Sequence, residues 1–226
     1  MRHKWIAAAV LWALGAASLA AANFWDAKSY SEWSEKEVEE MLTDSPWAKK
    51  ISVVIPVPPR ASGDVSAGGR GGGDDEGGGR GGRGGFPVPS PQLKLVITWR
   101  SALPVRQALT RLPNGAATPG VDQQPLIEPL PFYMITLAGV PTRYARAAAT
   151  AGMTSFLRRG KKMPIPLAQG GVQEAGATLT LVFAFPRTDP ITLDDKEVEF
   201  VTTIGTIEIK KKFNLKDLVF NGQLEL

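Results

Sequence analysis

The 226-residue chain has no cysteine and a single histidine, His3. Without cysteine no disulfide can staple the fold, so stability has to come from buried apolar area. His3 stands inside an opening that reads as an export leader. Arg2 and Lys4 give a basic start, residues 5–22 are apolar apart from Ser18, and Ala20-Ala21-Ala22 supplies the small residues a signal peptidase reads. Cleavage is expected near Ala22, leaving a periplasmic or secreted protein. The competing reading is an uncleaved anchor, because an apolar run of this length just suffices to span a bilayer. No cysteine follows the run, which excludes a lipid-anchored lipoprotein.

Loss of the leader takes away the one imidazole. The remaining chain then has neither His nor Cys, which excludes Ser-His-Asp and Cys-His catalysis and zinc sites built on imidazole or thiolate. Carboxylate, lysine or tyrosine chemistry and oxygen-ligated cations remain. Of 26 basic side chains Arg2 and Lys4 leave too, so 24 face 22 acidic ones and the net charge falls to about +2. That is too little to imply a polyanion partner, and nucleic acid is not expected. No cofactor is expected either: no glycine run is followed by Lys-Ser or Lys-Thr.

The stretch WSEKEVEEMLTDSPWAKK, residues 33–50, is what the chain has in place of chemistry. Ser34 and Glu37 form a capping-box pattern, with Trp33 before the cap and Val38 at the position a hydrophobic staple uses. Val38, Met41 and Leu42 make one apolar stripe. The spacing predicts a helix over 35–43, with Asp44 forming the exit turn and Pro46 ending it. Trp25, Trp33 and Trp47 are expected to pin this helix onto a sheet. Thr43, Asp44 and Ser45 could instead be a nucleophile and its surroundings, but the base would have to be Lys49 or Lys50. Capping and turn formation account for the same residues.

Beyond it, residues 51–57 read as a strand with Pro56 near its end. Half of the chain's 24 glycines fall between Gly68 and Gly85, so 58–91 reads as a flexible Gly/Arg/Pro-rich loop inside a sheet. Its Arg70, Arg80 and Arg83 resemble an RNA-binding tract only faintly, being interrupted by Asp74-Asp75-Glu76. Residues 92–100 alternate, Leu93, Leu95, Ile97 and Trp99 on one face and Lys94, Val96, Thr98 and Arg100 on the other. Residues 102–112 switch to helical period, and 131–140 read as an apolar strand. Thr142 is expected to cap a helix over 143–151, and Gly152 to stop it. The last third reads as β: a strand over 177–186, a hairpin turning near Gly205, and an Asn-Gly turn at 221–222.

This order, two or three short helices among five to seven strands, predicts a single α+β domain over 23–226 with a mixed or mostly antiparallel sheet. The alternative is a small β-sandwich with peripheral helices. Two charge clusters are the remaining candidates for function. Asp189, Asp194 and Asp195 could hold Ca²⁺, though their spacing fits no EF-hand and a solvated turn explains them. Glu197 and Glu199 share a strand face where an acid/base pair is conceivable. Arg158, Arg159, Lys161 and Lys162, with Lys210, Lys211 and Lys212, could contact an anionic envelope surface; a charge run also serves simply as a solvated face or a guarded sheet edge.

The segment FWDAKSYSEWSEKEVEEMLTDSPWAKK resembles the N-terminal part of an uncharacterised family of bacterial exported proteins that carry a W-S-x-K-E-V…L-T-D-S-P-W stretch. WRSALPVRQAL and the ending ITLDDKEVEFVT…IKKKFNLKDLVFNGQLEL are similar to other parts of that family. The resemblance implies export, one shared architecture and no established activity. It transfers no catalytic residue, and it makes the Gly/Arg tract an insertion. The function expected is a non-catalytic binding or structural role in the envelope, with another envelope protein or an anionic surface as partner. The alternative is a hydrolase using carboxylates alone.

Overall fold

A computed structural model describes residues 23–56, 91–112 and 129–226; the expected leader and nearly all of the Gly/Arg tract lie outside the described residues. The chain runs α1 (Phe24–Ala27), α2 (Glu35–Thr43), β1 (Ala48–Val54), β2 (Gln92–Trp99), α3 (Leu103–Thr110), β3 (Phe132–Pro141), α4 (Ala145–Ala148), β4 (Phe156–Arg158), β5 (Ile165–Pro166), β6 (Gln169–Ala175), β7 (Thr178–Pro186), β8 (Glu197–Ile204), β9 (Ile207–Asn214), β10 (Val219–Phe220) and β11 (Gln223–Leu224). It is an α+β fold. One sheet has the order β1-β2-β3-β7-β6, a second β5-β4-β8-β9, and β10-β11 form a terminal pair. Every described pairing is antiparallel.

Alternation builds the core. Leu93, Leu95, Ile97 and Trp99 of β2, Tyr133, Ile135 and Leu137 of β3, and Leu179, Leu181, Phe183 and Phe185 of β7 are all buried. They share one face because directly paired residues of an antiparallel ladder point the same way. That face meets the second sheet through aromatic edges: Trp99 lies 5.6 Å from Phe213, and Phe183 5.1 Å from Phe200. One contiguous cluster of buried apolar side chains therefore runs from Trp33 to Leu226. Val54 pairs with Gln92, and the Ile55 amide donates to the Pro91 carbonyl at 2.9 Å. The tract thus joins two neighbouring strands of one sheet.

Several expectations shift. β1 begins at Ala48, not at 51, because the turn at Ser45 delivers the chain to β2 at once. Thr98, on the face opposite Leu93, Leu95, Ile97 and Trp99, is buried as well, its Oγ1 donating to the Leu42 carbonyl at the end of α2. The helix expected over 143–151 shrinks to α4, flanked by 3₁₀ turns at Thr142–Tyr144 and Ala151–Thr154. Thr142 makes no side-chain cap, and Gly152 lies inside the second turn. Ala148 is the one buried residue of α4, and the stripe it forms with Tyr144, Ala147 and Ala151 is mostly single methyl groups, which bury little area to stabilise a longer helix. The hairpins at Gly205 and at Asn221-Gly222 form where expected.

Candidate functional site

The N-terminal clasp is assembled as follows. The Ser34 Oγ accepts from the Glu37 amide at 3.3 Å, and a Glu37 carboxylate oxygen accepts from the Ser34 amide at 2.8 Å. The same carboxylate takes the Lys28 ammonium at 2.5 Å. Lys28 and the two Ser34 donors hold Glu37 down from 4.5 to about 2. Trp33, Val38, Met41 and Trp47 are buried. Ring edges link Phe24 to Trp33 at 5.4 Å, Trp25 to Trp47 at 5.9 Å and Trp47 to Phe220 at 6.2 Å, while the Trp47 indole N–H donates to the Glu225 carbonyl at 2.9 Å. The opening of the domain is thereby locked to its terminal hairpin.

At the exit of α2 it is Ser45 that makes the turn, where the Asp44 side chain was expected to. Ser45 Oγ donates to the Met41 carbonyl and accepts from the Ala48 amide; Asp44 is exposed, and Pro46 follows half-buried. Thr43 Oγ1 donates to the Glu39 carbonyl. Both hydroxyls weighed as nucleophiles are thus bound to backbone.

The charge clusters are drawn into ion pairs. Arg159, expected on the surface, has a side chain only 1% exposed; it donates to Asp189 at 2.5 Å and to the Met163 carbonyl at 3.2 Å. Its aliphatic stem is buried with the core and the pair neutralises its head, so it offers nothing to an outside anion. The Arg159 guanidinium holds the Asp189 carboxyl below the ordinary range. Burial pushes Asp195 up, but the Lys162 ammonium at 2.6 Å and the Thr192 amide together pull it further down. Asp194 is exposed and apart from this pair. Among the described residues no three acidic, histidine or cysteine groups gather as a metal site would need. Glu199 binds Arg158 and Glu197 binds Lys212, each at 2.8 Å, and Lys210 binds Glu208. Of the seven basic residues singled out, only Lys161 and Lys211 lack an ion pair among the described residues.

A different surface feature emerges at the far edge of the first sheet. A groove of about 510 Å³ runs between α4 with its following turn and the β6-β7 hairpin, lined by Ala148, Met153, Leu167, Gly170, Val172 and Leu181 among others. None of its lining side chains is ionisable. Leu167 comes close to Gly152, where a Cβ would stand 2.9 Å from a Leu167 methyl and turn that side chain aside. Met153 is 87% exposed and Val172 41% exposed. Among the described residues β6 pairs with β7 alone, and no other described strand lies along its outer side.

Sequence reasoning missed this place. QGGVQEA has no apolar alternation, and its register is imposed by β7. The signal that was there is Gly176, at φ +62° in the turn before β7, which marks a hairpin and so an arm preceding it.

Fold and site together define an antiparallel α+β protein with an apolar concavity against a sheet edge. Compared with protein-family models, with curated proteins and with solved structures, the chain matches none.

Proposed function

We propose that this is an exported, non-catalytic protein of the cell envelope that acts by contact, through the apolar groove and the adjoining β6 edge. The groove carries the reading: it is lined without a single acid, base or nucleophile, as suits a surface that recognises shape and apolar area. A carboxylate hydrolase would need two carboxyl groups about 5–10 Å apart across a cleft. Here Asp189, Asp195, Glu197 and Glu199 are each held by a cation instead. Contact with an anionic surface draws less support, since five of the seven basic residues are paired internally. The basic start, apolar run and Ala20-Ala21-Ala22 support export.

Two measurements test this reading. Expressed in a Gram-negative host, the protein is expected in the periplasmic fraction with Asn23 as its first residue; a cytoplasmic chain starting at Met1 overturns export. A naphthalene-sulfonate dye should bind saturably to the folded protein, and Ala149→Glu with Met153→Lys, both exposed positions, should weaken binding about tenfold, the loss of roughly 1.4 kcal/mol. Unchanged dye binding overturns the groove.

A further inference from the structure

We infer that β6 is a self-pairing edge, and that two copies of this chain join there in an antiparallel, two-fold arrangement centred on Val172. The inference rests on the contact reading and names its partner.

A sheet edge exposes a row of backbone donors and acceptors that will pair with any strand presented to it, so natural edges are blunted by lysine, proline or shortness. The other three edges of the two larger sheets show these devices. β1 carries Lys49 and Lys50, with Pro56 just beyond; β9 carries Lys210, Lys211 and Lys212; β5 has two residues, the second Pro166. β6 has none. It is seven residues long, contains no lysine or proline, and has one charge, Glu174.

Its sequence is also self-complementary. Antiparallel pairing of all seven residues with a second β6 requires the axis at the central residue, Val172. Gly170 then faces Glu174, Gly171 faces Gln173, and Gln169 faces Ala175, so each longer polar side chain lies opposite a small residue. The charges fit as well. The two Glu174 residues sit four positions apart along the strands, about 14 Å at ~3.4 Å per residue. That exceeds the screening length of about 8–10 Å in physiological salt. No like charges meet. An axis perpendicular to the sheet keeps faces matched, so Val172, which shares its face with Leu181, meets its own copy beside the groove. The exposed Val172 and Met153 are thereby brought to the seam.

The absence of cysteine makes a register-specific test available. Val172→Cys would carry the sole thiol of the chain at the axis. Directly opposed residues have Cα atoms about 4.5–5.5 Å apart, within the ~4.4–6.8 Å a disulfide spans. Under mild oxidation Val172→Cys should form a covalent dimer, and Glu174→Cys should form it at least tenfold more slowly. The wild-type protein should sediment as a dimer at about 100 μM, where a micromolar contact is saturated. Far-UV circular dichroism confirms that each variant is folded. Equal cross-linking at both positions, or a wild-type monomer, overturns the pairing. A monomer that still binds the dye leaves the groove reading standing; a monomer that does not overturns both.

Discussion

Trp47→Ala probes the clasp most severely. Trp47 has no exposed surface, its ring meets Trp25 and Phe220 edge-on, and its N–H reaches the Glu225 carbonyl across 178 positions of sequence. Truncating a buried tryptophan costs about 3–5 kcal/mol, the transfer of the lost atoms plus the cavity left behind. For a domain of this size each kcal/mol lowers the melting temperature by about 2–4 °C, so a fall of roughly 6–20 °C is expected. Trp47→Phe separates the contributions: it retains an aromatic ring and removes the donor, a loss of about 1–3 kcal/mol if the carbonyl stays dry. Thermal unfolding followed by far-UV circular dichroism is the assay, because Trp25, Trp33 and Trp99 would still confuse a fluorescence readout. The order wild type, Trp47→Phe, Trp47→Ala is predicted. An unchanged melting temperature for Trp47→Ala would refute the clasp and place the indole at a surface.

Three further outcomes follow from particular contacts. Glu37 titrates at about 2 folded against 4.5 ordinarily, so its contribution is present above about pH 4.5 and lost as pH falls toward 2; Glu37→Gln should melt lower than wild type at pH 7 and match it near pH 2. Gly139 sits at φ +90° in a bulge of β3, and a Cβ there would stand 2.8 Å from the Lys94 carbonyl oxygen. Gly139→Ala should therefore destabilise by about 1–3 kcal/mol in urea unfolding, whereas Gly171→Ala, with open space around it, should stay within about 0.5 kcal/mol. Asp189→Asn should lower the melting temperature by leaving the Arg159 guanidinium without its anion, while Lys161→Ala should not.

Much of the fold was legible because alternation and capping are local signals. The Ser34–Glu37 box places α2 at Glu35–Thr43, and period two places β2, β7, β8 and β9. The facing of two sheets was offered only as an alternative; which side a strand turns to depends on partners far away, as Trp99 and Phe213 show. The Arg158–Lys162 run misled for a related reason. Sequence shows five charged or small residues together, whereas the fate of Arg159 is decided by Asp189, thirty positions on. The groove was invisible because its parts are small and apolar residues brought together from four separate segments. None of these carries a chemical signature by itself.

Hydrogen exchange at the amides of residues 169–175, followed across protein concentration, tests most directly whether β6 is where this protein makes its contact. In dilute solution the amides bonded to β7 should exchange slowly and those on the other side of β6 quickly. As concentration rises, the fast set should become protected while the Gly205 turn stays unchanged. Amides that remain fast at every concentration would contradict the account.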